Sequence, residues 1–195
     1  MLIIGPPGSG KGTQAELISD RLSVVAISTG EIFRTHVKTE TPLGVEAKKY
    51  IDSGEFVPDS LTNKMIRRRL RQIDVENGFL LDGYPRTAAQ MNYLDEILEE
   101  REKQLDIVLQ LTADDDELTA RLLVRANESG RSDDNEVVIR RRLELYHQQT
   151  EAVIRMYSDR GILTPIDGIG EIYEVLERTL SAVRINSAAP SPFSN

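Results

Sequence analysis

A glycine-rich turn stands close to the start of the chain, directly behind a short apolar segment. The turn runs from Gly5 to Thr13 as Gly-Pro-Pro-Gly-Ser-Gly-Lys-Gly-Thr, and a helical pattern follows it. Glycines let successive backbone N–H groups converge on phosphate oxygens, the helix amino terminus adds partial positive charge, and Lys11 adds a full charge. A strand, this turn and a helix in succession predict a phosphate-binding loop.

The rest of the chain alternates between short apolar segments and helical patterns, which predicts a parallel sheet. The five apolar segments are Leu2 to Ile4, Val24 to Ile27, Phe79 to Leu81, Ile107 to Leu111 and Ile162 to Pro165. We therefore expect a three-layer α/β fold of the P-loop NTPase type, with five parallel strands flanked by helices. Ligands bind such sheets at the carboxyl ends of the strands, which is where the glycine-rich turn lies.

About fifty residues without a strand pattern separate the second and third strands, too many for a single crossover helix. They predict several short helices, over Gly30 to Val37, from Pro42 to Ser53 and from Pro58-Asp59 onward, which would form a lobe over the sheet. A polar segment from Ala126 to Asn135 has the composition of a lid loop. The predicted organisation is one domain over 1–186, with its core at 1–28, 60–121 and 136–186, a helical lobe at 29–59, a short lid at 122–135, and a disordered tail at 187–195.

Composition excludes several classes of protein. The net charge of −8 disfavours nonspecific binding to nucleic acid or to a membrane surface, and the absence of cysteine excludes disulfides and thiolate zinc sites. No apolar segment approaches the roughly 18 residues of a membrane span, and because the turn comes so early we expect no signal peptide before it. We expect a cytoplasmic protein. The arginine cluster from Arg67 to Arg71 is interpreted as a solvated helix face rather than a nucleic-acid patch.

The third apolar segment ends in Asp82, within Asp-Gly-Tyr-Pro-Arg-Thr from Asp82 to Thr87. A strand that ends in aspartate beside a phosphate loop is a Walker-B arrangement, in which the carboxylate holds Mg²⁺, usually through water. Further on, Arg121 and Arg125 are spaced by four and so share one helix face. Arginines suit phosphoryl transfer because charge spreads over the phosphoryl oxygens in the transition state.

The turn has Gly12 directly after the lysine, where the generic P-loop pattern has serine or threonine, and Thr13 comes one step later. In this respect it resembles the P-loop of adenylate kinases and their nucleoside monophosphate kinase relatives. Four further segments match that family in order: Ser28 to Arg34, Gly54 to Asp59, Phe79 to Gln90, and the arginines between Arg121 and Arg142. The resemblance spans most of the chain, from Gly5 to about Val175.

The resemblance implies roles for individual residues. ATP would be bound by Gly8, Ser9, Gly10, Lys11, Gly12, Thr13, Arg121, Arg125 and the backbone at Gly170. AMP would be bound by Thr29, Arg34, Glu55, Phe56, Val57, Gly83, Tyr84, Pro85, Arg86, Gln90, Arg131 and Arg142. Catalysis would rest on Lys11, Arg86, Arg125, Arg131 and Arg142. Thr13 and Asp82 would hold Mg²⁺, with Asp82 acting through water, and no zinc is expected. Arg140, Arg141 and the two histidines are expected at the surface, and Tyr84 is expected to behave as the family's more usual phenylalanine.

By this resemblance the chain is expected to be an adenylate kinase that converts Mg²⁺·ATP and AMP into two ADP as a monomer, with no nucleic-acid or membrane partner. Two alternatives remain open. A UMP/CMP kinase shares almost every motif, but that family tends to have asparagine where this chain has Gln90. A non-catalytic nucleotide sensor with the same fold would be expected to lack part of the set of charged residues, whereas Lys11, Asp82 and the arginines are all present.

Overall fold

The computed structural model describes the backbone of residues 1–129 and 135–188, and the side chains within these ranges except those of 126–129 and 186–188. The sheet consists of β1 (Leu2–Ile4), β2 (Val25–Ser28), β3 (Phe79–Asp82), β4 (Val108–Thr112) and β5 (Leu163–Asp167). The strand order is β2-β3-β1-β4-β5, and every pairing is parallel. The predicted five-stranded parallel sheet is confirmed.

The helices are α1 (Lys11–Leu22), α2 (Thr29–Lys38), α3 (Pro42–Ser53), α4 (Asp59–Leu70), α5 (Ala88–Glu99), α6 (Asp115–Ser129), α7 (Glu136–Leu145), α8 (Glu151–Asp159) and α9 (Ile172–Ala188). A 3-10 helix spans Ile73–Val75, and a π-helix spans Tyr146–Thr150. Local chemistry sets several of these limits. In α3, for example, the Thr41 hydroxyl accepts a hydrogen bond from the Gly44 amide at the amino end, and Gly54 adopts φ 75° at the carboxyl end.

The sheet separates two cores because successive side chains of a strand point to opposite faces. Leu2 and Ile4 of β1 belong to the larger core, beneath α2 to α5 and α8. Ile3 belongs to the second core, which α1 and α9 cover with residues such as Ile18 and Leu176. The three strand residues are at most 4% exposed, which is the burial expected for a central strand covered on both faces. The molecule therefore has the predicted three layers.

The strand register determines where the functional residues lie. Strand β1 is central, with Ile3 beside Asp82 of β3 and Ile4 beside Gln110 of β4. Because all strands are parallel, their carboxyl ends share one edge of the sheet. The glycine-rich turn after β1 and the aspartate that ends β3 therefore lie next to each other at that edge.

Two segments predicted as loop or tail begin within helices in the structure. Helix α6 runs to Ser129, so the polar segment expected as a loop from Ala126 begins as helix, and residues 130–134 lie outside the described residues. Helix α9 runs to Ala188, so the first two residues of the expected tail are helical, and residues 189–195 are not described. In both places the helix continues through polar residues. The sequence placed the helix end too early because propensity is only a weak guide to where a helix ends. Within the described ranges, the helices are too short or too polar to cross a membrane.

Candidate active site

The turn between β1 and α1 presents backbone amides to a cleft. Gly8 and Gly10 both have φ 86°, a left-handed conformation that other residues seldom adopt. A Cβ atom on Gly8 would lie 2.9 Å from the Leu118 carbonyl oxygen, whereas one on Gly10 would meet nothing within 4 Å. Helix α1 has neither a side-chain cap nor an acidic residue in its first turn. Its amino-terminal amides are therefore available to an anion.

Lys11 begins α1 and curls back over the turn. Its Nζ donates to the Pro6 carbonyl oxygen at 2.6 Å and lies 3.4 Å from the Ser9 hydroxyl oxygen. Burial lowers the pKa of Lys11 to about 8; Asp82 opposes this shift, and nearby arginines, with Arg86 the strongest, add to it. Ser9, predicted to bind nucleotide, is itself buried and supports the lysine from beneath.

A cleft of about 390 Å³ opens above the turn. Fifteen of the predicted site residues line it: Gly8, Gly10, Lys11, Gly12, Thr13, Arg34, Phe56, Asp82, Gly83, Tyr84, Pro85, Arg86, Arg121, Arg125 and Arg142. Its lining has six basic side chains but only three carboxylates, Glu16, Glu31 and Asp82. A chain with a net charge of −8 thus has a locally cationic cleft, as the binding of a polyanion requires.

Asp82 stands at the end of β3 and is 9% exposed. Its Oδ2 accepts a hydrogen bond from the Ser28 hydroxyl at 3.0 Å. The same oxygen is 3.9 Å from the position that a Cβ on Gly12 would occupy, so the carboxylate faces the first turn of α1. Thr13 lines the same cleft, and the structure brings the two predicted magnesium ligands to one place. Among the described residues, no three His, Cys, Asp or Glu side chains form a metal-binding group by themselves.

A smaller pocket of about 80 Å³ lies beside the cleft. It is lined by the remaining predicted acceptor residues Thr29, Glu55, Val57 and Gln90. Arg34, Phe56, Gly83, Arg86 and Arg142 line both spaces, so the two pockets are adjacent. The helical segment 29–59 forms one wall of the smaller pocket.

Arg86 lies at the junction of the two spaces. Its Nε donates to the Gly83 carbonyl oxygen at 2.8 Å, and its guanidinium carbon lies 5.2 Å from the centre of the Phe56 ring. The buried Thr29 hydroxyl donates to the same carbonyl at 2.9 Å. A Cβ on Gly83 would lie 2.8 Å from that hydroxyl oxygen and 3.0 Å from Arg86 Nη2, so only glycine fits here.

Gln90 is 2% exposed, and both polar atoms of its side-chain amide form hydrogen bonds within the protein. Its Oε1 accepts from the Arg86 amide at 2.8 Å, and its Nε2 donates to Asp59 Oδ1 at 2.6 Å. The Tyr84 hydroxyl lies 2.8 Å from Asn63 Oδ1 and 3.1 Å from the Gln90 carbonyl oxygen. The tyrosine therefore has hydrogen-bond partners that a phenylalanine would lack, which the sequence comparison with the family did not anticipate.

On the donor side, Arg121 joins α6 to the loop after β5. Its Nε donates to Glu117 Oε1 at 2.7 Å, and its Nη1 donates to the Gly168 carbonyl oxygen at 3.1 Å. Gly170 does not line the cleft. It has φ 118°, and a Cβ there would lie 2.7 Å from Glu174 Oε2 and 2.9 Å from Arg178 Nη2, both side chains of α9. Arg131 lies outside the described residues.

Arg141 was expected to be a surface residue, and it has a more specific place. Its Nε donates to Glu55 Oε1 at 2.7 Å, which links α7 to the segment after α3, and its Nη1 donates to Glu144 at 2.7 Å. These hydrogen bonds raise the pKa of Arg141. One carboxylate oxygen of Glu55, a residue predicted to bind the acceptor, is therefore part of this ion pair. Arg140 is exposed and pairs with Glu136 on its own helix, as expected of a surface residue.

The sequence analysis missed Tyr146 and Thr150, which line the cleft from the π-helix. Burial raises the pKa of Tyr146 to about 12, against the effect of a hydrogen bond with Gln110. The Thr150 hydroxyl donates to the Arg86 carbonyl oxygen at 3.2 Å. Neither residue stands out in the sequence, because polar residues surround both of them between Glu144 and Glu151. Asp59 was also missed as a partner of the site, having been considered only as part of a helix start.

Comparisons with known proteins agree with this geometry. The family model described as adenylate kinase matches residues 3–162. An adenylate kinase of Pseudarthrobacter chlorophenolicus is 70% identical over 189 residues, covering 97% of this chain and 98% of the relative. Adenylate kinases of Renibacterium salmoninarum and Kocuria rhizophila are 68% and 60% identical, each over 94% of this chain and over 95% and 97% of the respective relative.

The matched region includes the phosphate-binding turn, the aspartate that ends β3 and the arginines of the cleft. The identities extend over nearly the whole chain, well beyond these motifs. On both grounds, the chain belongs to the adenylate kinase family of nucleoside monophosphate kinases.

Proposed function

We propose that the chain transfers the terminal phosphoryl group of Mg²⁺·ATP directly to AMP, reversibly, giving two molecules of ADP. The observation that supports this most strongly is that the two pockets are adjacent and share lining residues. One end has the phosphate-binding turn, the other has the buried amide of Gln90, and Arg34, Arg86 and Arg142 line both spaces. Two nucleotides bound at the two ends would bring their phosphates together among these arginines.

On the donor side, the amides of Gly8, Gly10 and Gly12 with the Lys11 ammonium would hold the donor phosphates. Arg125 would contact the same phosphates from α6, and Arg121 would lie on the donor base. The loose transition state spreads charge over the phosphoryl oxygens, so fixed cations in a cleft shielded from water stabilise it more than the ground state. No covalent intermediate with the enzyme is needed.

On the acceptor side, Arg34 and Arg86 would hold the monophosphate, and a guanidinium suits this because it offers paired donors in a fixed plane. Thr29, Phe56 and the Val57 backbone would border the base. Arg142, with Arg131 from outside the described residues, would bridge toward the group in transfer.

Magnesium fits the donor set beside the phosphate-binding turn. Mg²⁺ prefers oxygen ligands and binds nucleotides with one or two protein carboxylates and several waters, and the Asp82 carboxylate and the Thr13 hydroxyl supply that set. When bound, the ion would neutralise charge on the donor phosphates. Asp82 would orient it through water, and its hydrogen bond from Ser28 keeps the carboxylate in place.

The segment 29–59 would act as the acceptor lobe, and the expected lid at 122–135 would cover the donor. Closure is needed because water in an open site would compete with AMP for the phosphoryl group. We further propose that the protein acts as a cytoplasmic monomer on ATP, AMP and ADP. A net charge of −8 supports the absence of a nucleic-acid partner, because like charges repel.

The test is an ADP-forming assay with ATP and a panel of AMP, UMP and CMP. AMP is expected to be the preferred acceptor; a preference for UMP or CMP would instead support the pyrimidine kinase alternative, which the adenylate kinase relatives do not favour.

Lys11→Met should lower turnover at least about a hundredfold by removing a transition-state cation. Lys103→Met, at an exposed position after α5, is the control. Turnover of Lys11→Met within threefold of the parent would exclude Lys11 from the site.

A further inference from the structure

The amide of Gln90 is held in one orientation by two different partners. Its Oε1 accepts a hydrogen bond from the Arg86 backbone amide, and its Nε2 donates a hydrogen bond to the Asp59 carboxylate. The other oxygen of Asp59 accepts from the Thr87 hydroxyl at 2.9 Å. That hydroxyl in turn caps α5 by accepting from the Gln90 backbone amide. The carboxylate is thus fixed from two sides.

Turning the Gln90 amide by half a rotation would break both contacts. Its oxygen would then face the Asp59 carboxylate, and its NH₂ group would face the N–H of Arg86. An ionised carboxylate can only accept and a backbone amide can only donate, so neither partner can adapt. A glutamine amide is otherwise free to present its donor and acceptor in either order. The Asp59 carboxylate and the Arg86 backbone amide together remove that freedom.

The order matters because Gln90 lines the smaller pocket. Each amide group can make two bonds, so Nε2 has a second hydrogen and Oε1 a second lone pair for a ligand. A 6-aminopurine offers an amino donor beside a ring-nitrogen acceptor, which matches this oxygen and N–H. A 6-oxopurine offers an oxygen acceptor beside a ring N–H, which matches only the opposite orientation of the amide.

We propose that Asp59, together with the Arg86 backbone amide, fixes the orientation of the Gln90 amide and thereby makes the acceptor site select 6-aminopurine over 6-oxopurine monophosphates. This rests on the proposed function, in which the smaller pocket holds the base of the acceptor. Asp59 is a positioning residue, because it acts through Gln90. Its place in the first turn of α4 also favours the helix dipole, so a purely structural role is the competing explanation that the experiment must separate.

The experiment compares AMP with inosine monophosphate, the same nucleotide with oxygen in place of the amino group. The variant is Asp59→Asn, whose amide can donate or accept, so that only the Arg86 backbone amide still favours one orientation of Gln90. Asp74→Asn, which removes the same charge from an exposed ion pair with Arg69, is the control. The ratio of kcat/KM for AMP to that for inosine monophosphate is measured with saturating Mg²⁺·ATP.

Asp59→Asn is expected to reduce this ratio about tenfold, chiefly by improving the 6-oxo substrate, while kcat with AMP changes much less. Asp59→Glu should keep most of the ratio, and Asp74→Asn should leave it unchanged. An equal loss for both substrates, or an unchanged ratio, would overturn the proposal and leave Asp59 a structural role. Should Asp59→Asn fail to fold, Asp59→Ser is measured under the same criteria. A parent enzyme that does not phosphorylate AMP would instead contradict the proposed function itself.

Discussion

The Thr150 hydroxyl donates a hydrogen bond to the Arg86 carbonyl oxygen across 3.2 Å. Thr150 ends the π-helix and is 4% exposed, and both residues line the cleft. A π-helix widens the backbone locally and often occurs at functional sites. Here the wide turn supports the loop after β3 from below, so the backbone of Arg86 is held by the segment that follows α7.

Thr150→Val should lower both stability and turnover. Valine has the shape of threonine without the hydroxyl, so the Arg86 carbonyl loses a buried donor, at a cost of about 1 kcal/mol of unfolding free energy. Looser placement of Arg86 should reduce kcat several-fold. Denaturant titration and steady-state kinetics measure the two effects. Thr150→Ser, which keeps the hydroxyl, should retain turnover. If its turnover falls as much as that of Thr150→Val, loss of the hydrogen bond to Arg86 does not explain the lower turnover.

The sheet and the phosphate-binding turn could be predicted because their signals are contiguous in sequence. Leu2 to Ile4 is an apolar run, and the turn and the first residues of α1 follow it directly. The same holds for Phe79 to Asp82, where the strand and its terminal carboxylate are adjacent. In such cases hydrophobic pattern and local chemistry agree, and distant contacts add only the strand order.

The supporting residues could not be predicted in this way because their partners are distant. Asp59 bonds Gln90 across 31 positions, and Thr150 bonds Arg86 across 64. In sequence, Asp59 has the pattern of a helix start and Thr150 that of a residue within a long helix. Tyr84 illustrates the same limit, since only the folded chain brings its hydroxyl to Asn63.

The activity should decline at alkaline pH. Because burial lowers the pKa of Lys11 to about 8, the ammonium loses its charge as the pH rises through that value. The kcat/KM for ATP should therefore fall about tenfold for each pH unit above 8. The kcat at saturating ATP should stay constant to a higher pH, because bound phosphates favour the charged form of Lys11. Profiles between pH 7 and 10 at constant ionic strength measure both. Lys11→Arg, which stays charged, should lose this break even if it is less active overall.

Arg86→Ala and Gln90→Ala should differ in their effect on acceptor choice. Arg86 would contact the phosphate that every acceptor shares, so its loss should lower kcat/KM for AMP and UMP alike. Gln90 would contact the base, so its loss should reduce the preference for AMP over UMP by roughly 1 to 3 kcal/mol. Kinetics with both acceptors measure this. Equal losses for AMP and UMP in Gln90→Ala would exclude Gln90 as the residue that recognises adenine.

His147 should contribute stability that depends on pH. Its Nδ1 lies 2.6 Å from Glu151 Oε1 on α8, and its Nε2 lies 3.1 Å from Asp115 Oδ2 on α6. These two carboxylates, with Glu151 the larger influence, raise the pKa of His147. A raised pKa in the folded state means that the stabilisation is fully present below the unfolded value of about 6.5 and is lost as the pH rises through the folded value.

A double-mutant cycle isolates this contribution from the other effects of each substitution. His147→Gln, Asp115→Asn and the double variant are unfolded by denaturant at pH 6 and at pH 9. A favourable coupling energy is expected at pH 6, because the imidazolium and the carboxylate are then both charged, and little coupling is expected at pH 9, where the imidazole is neutral. High salt should reduce the coupling at pH 6, since the pair is largely exposed. Equal coupling at the two pH values would show that the contact between α6 and the π-helix does not depend on the charge of His147.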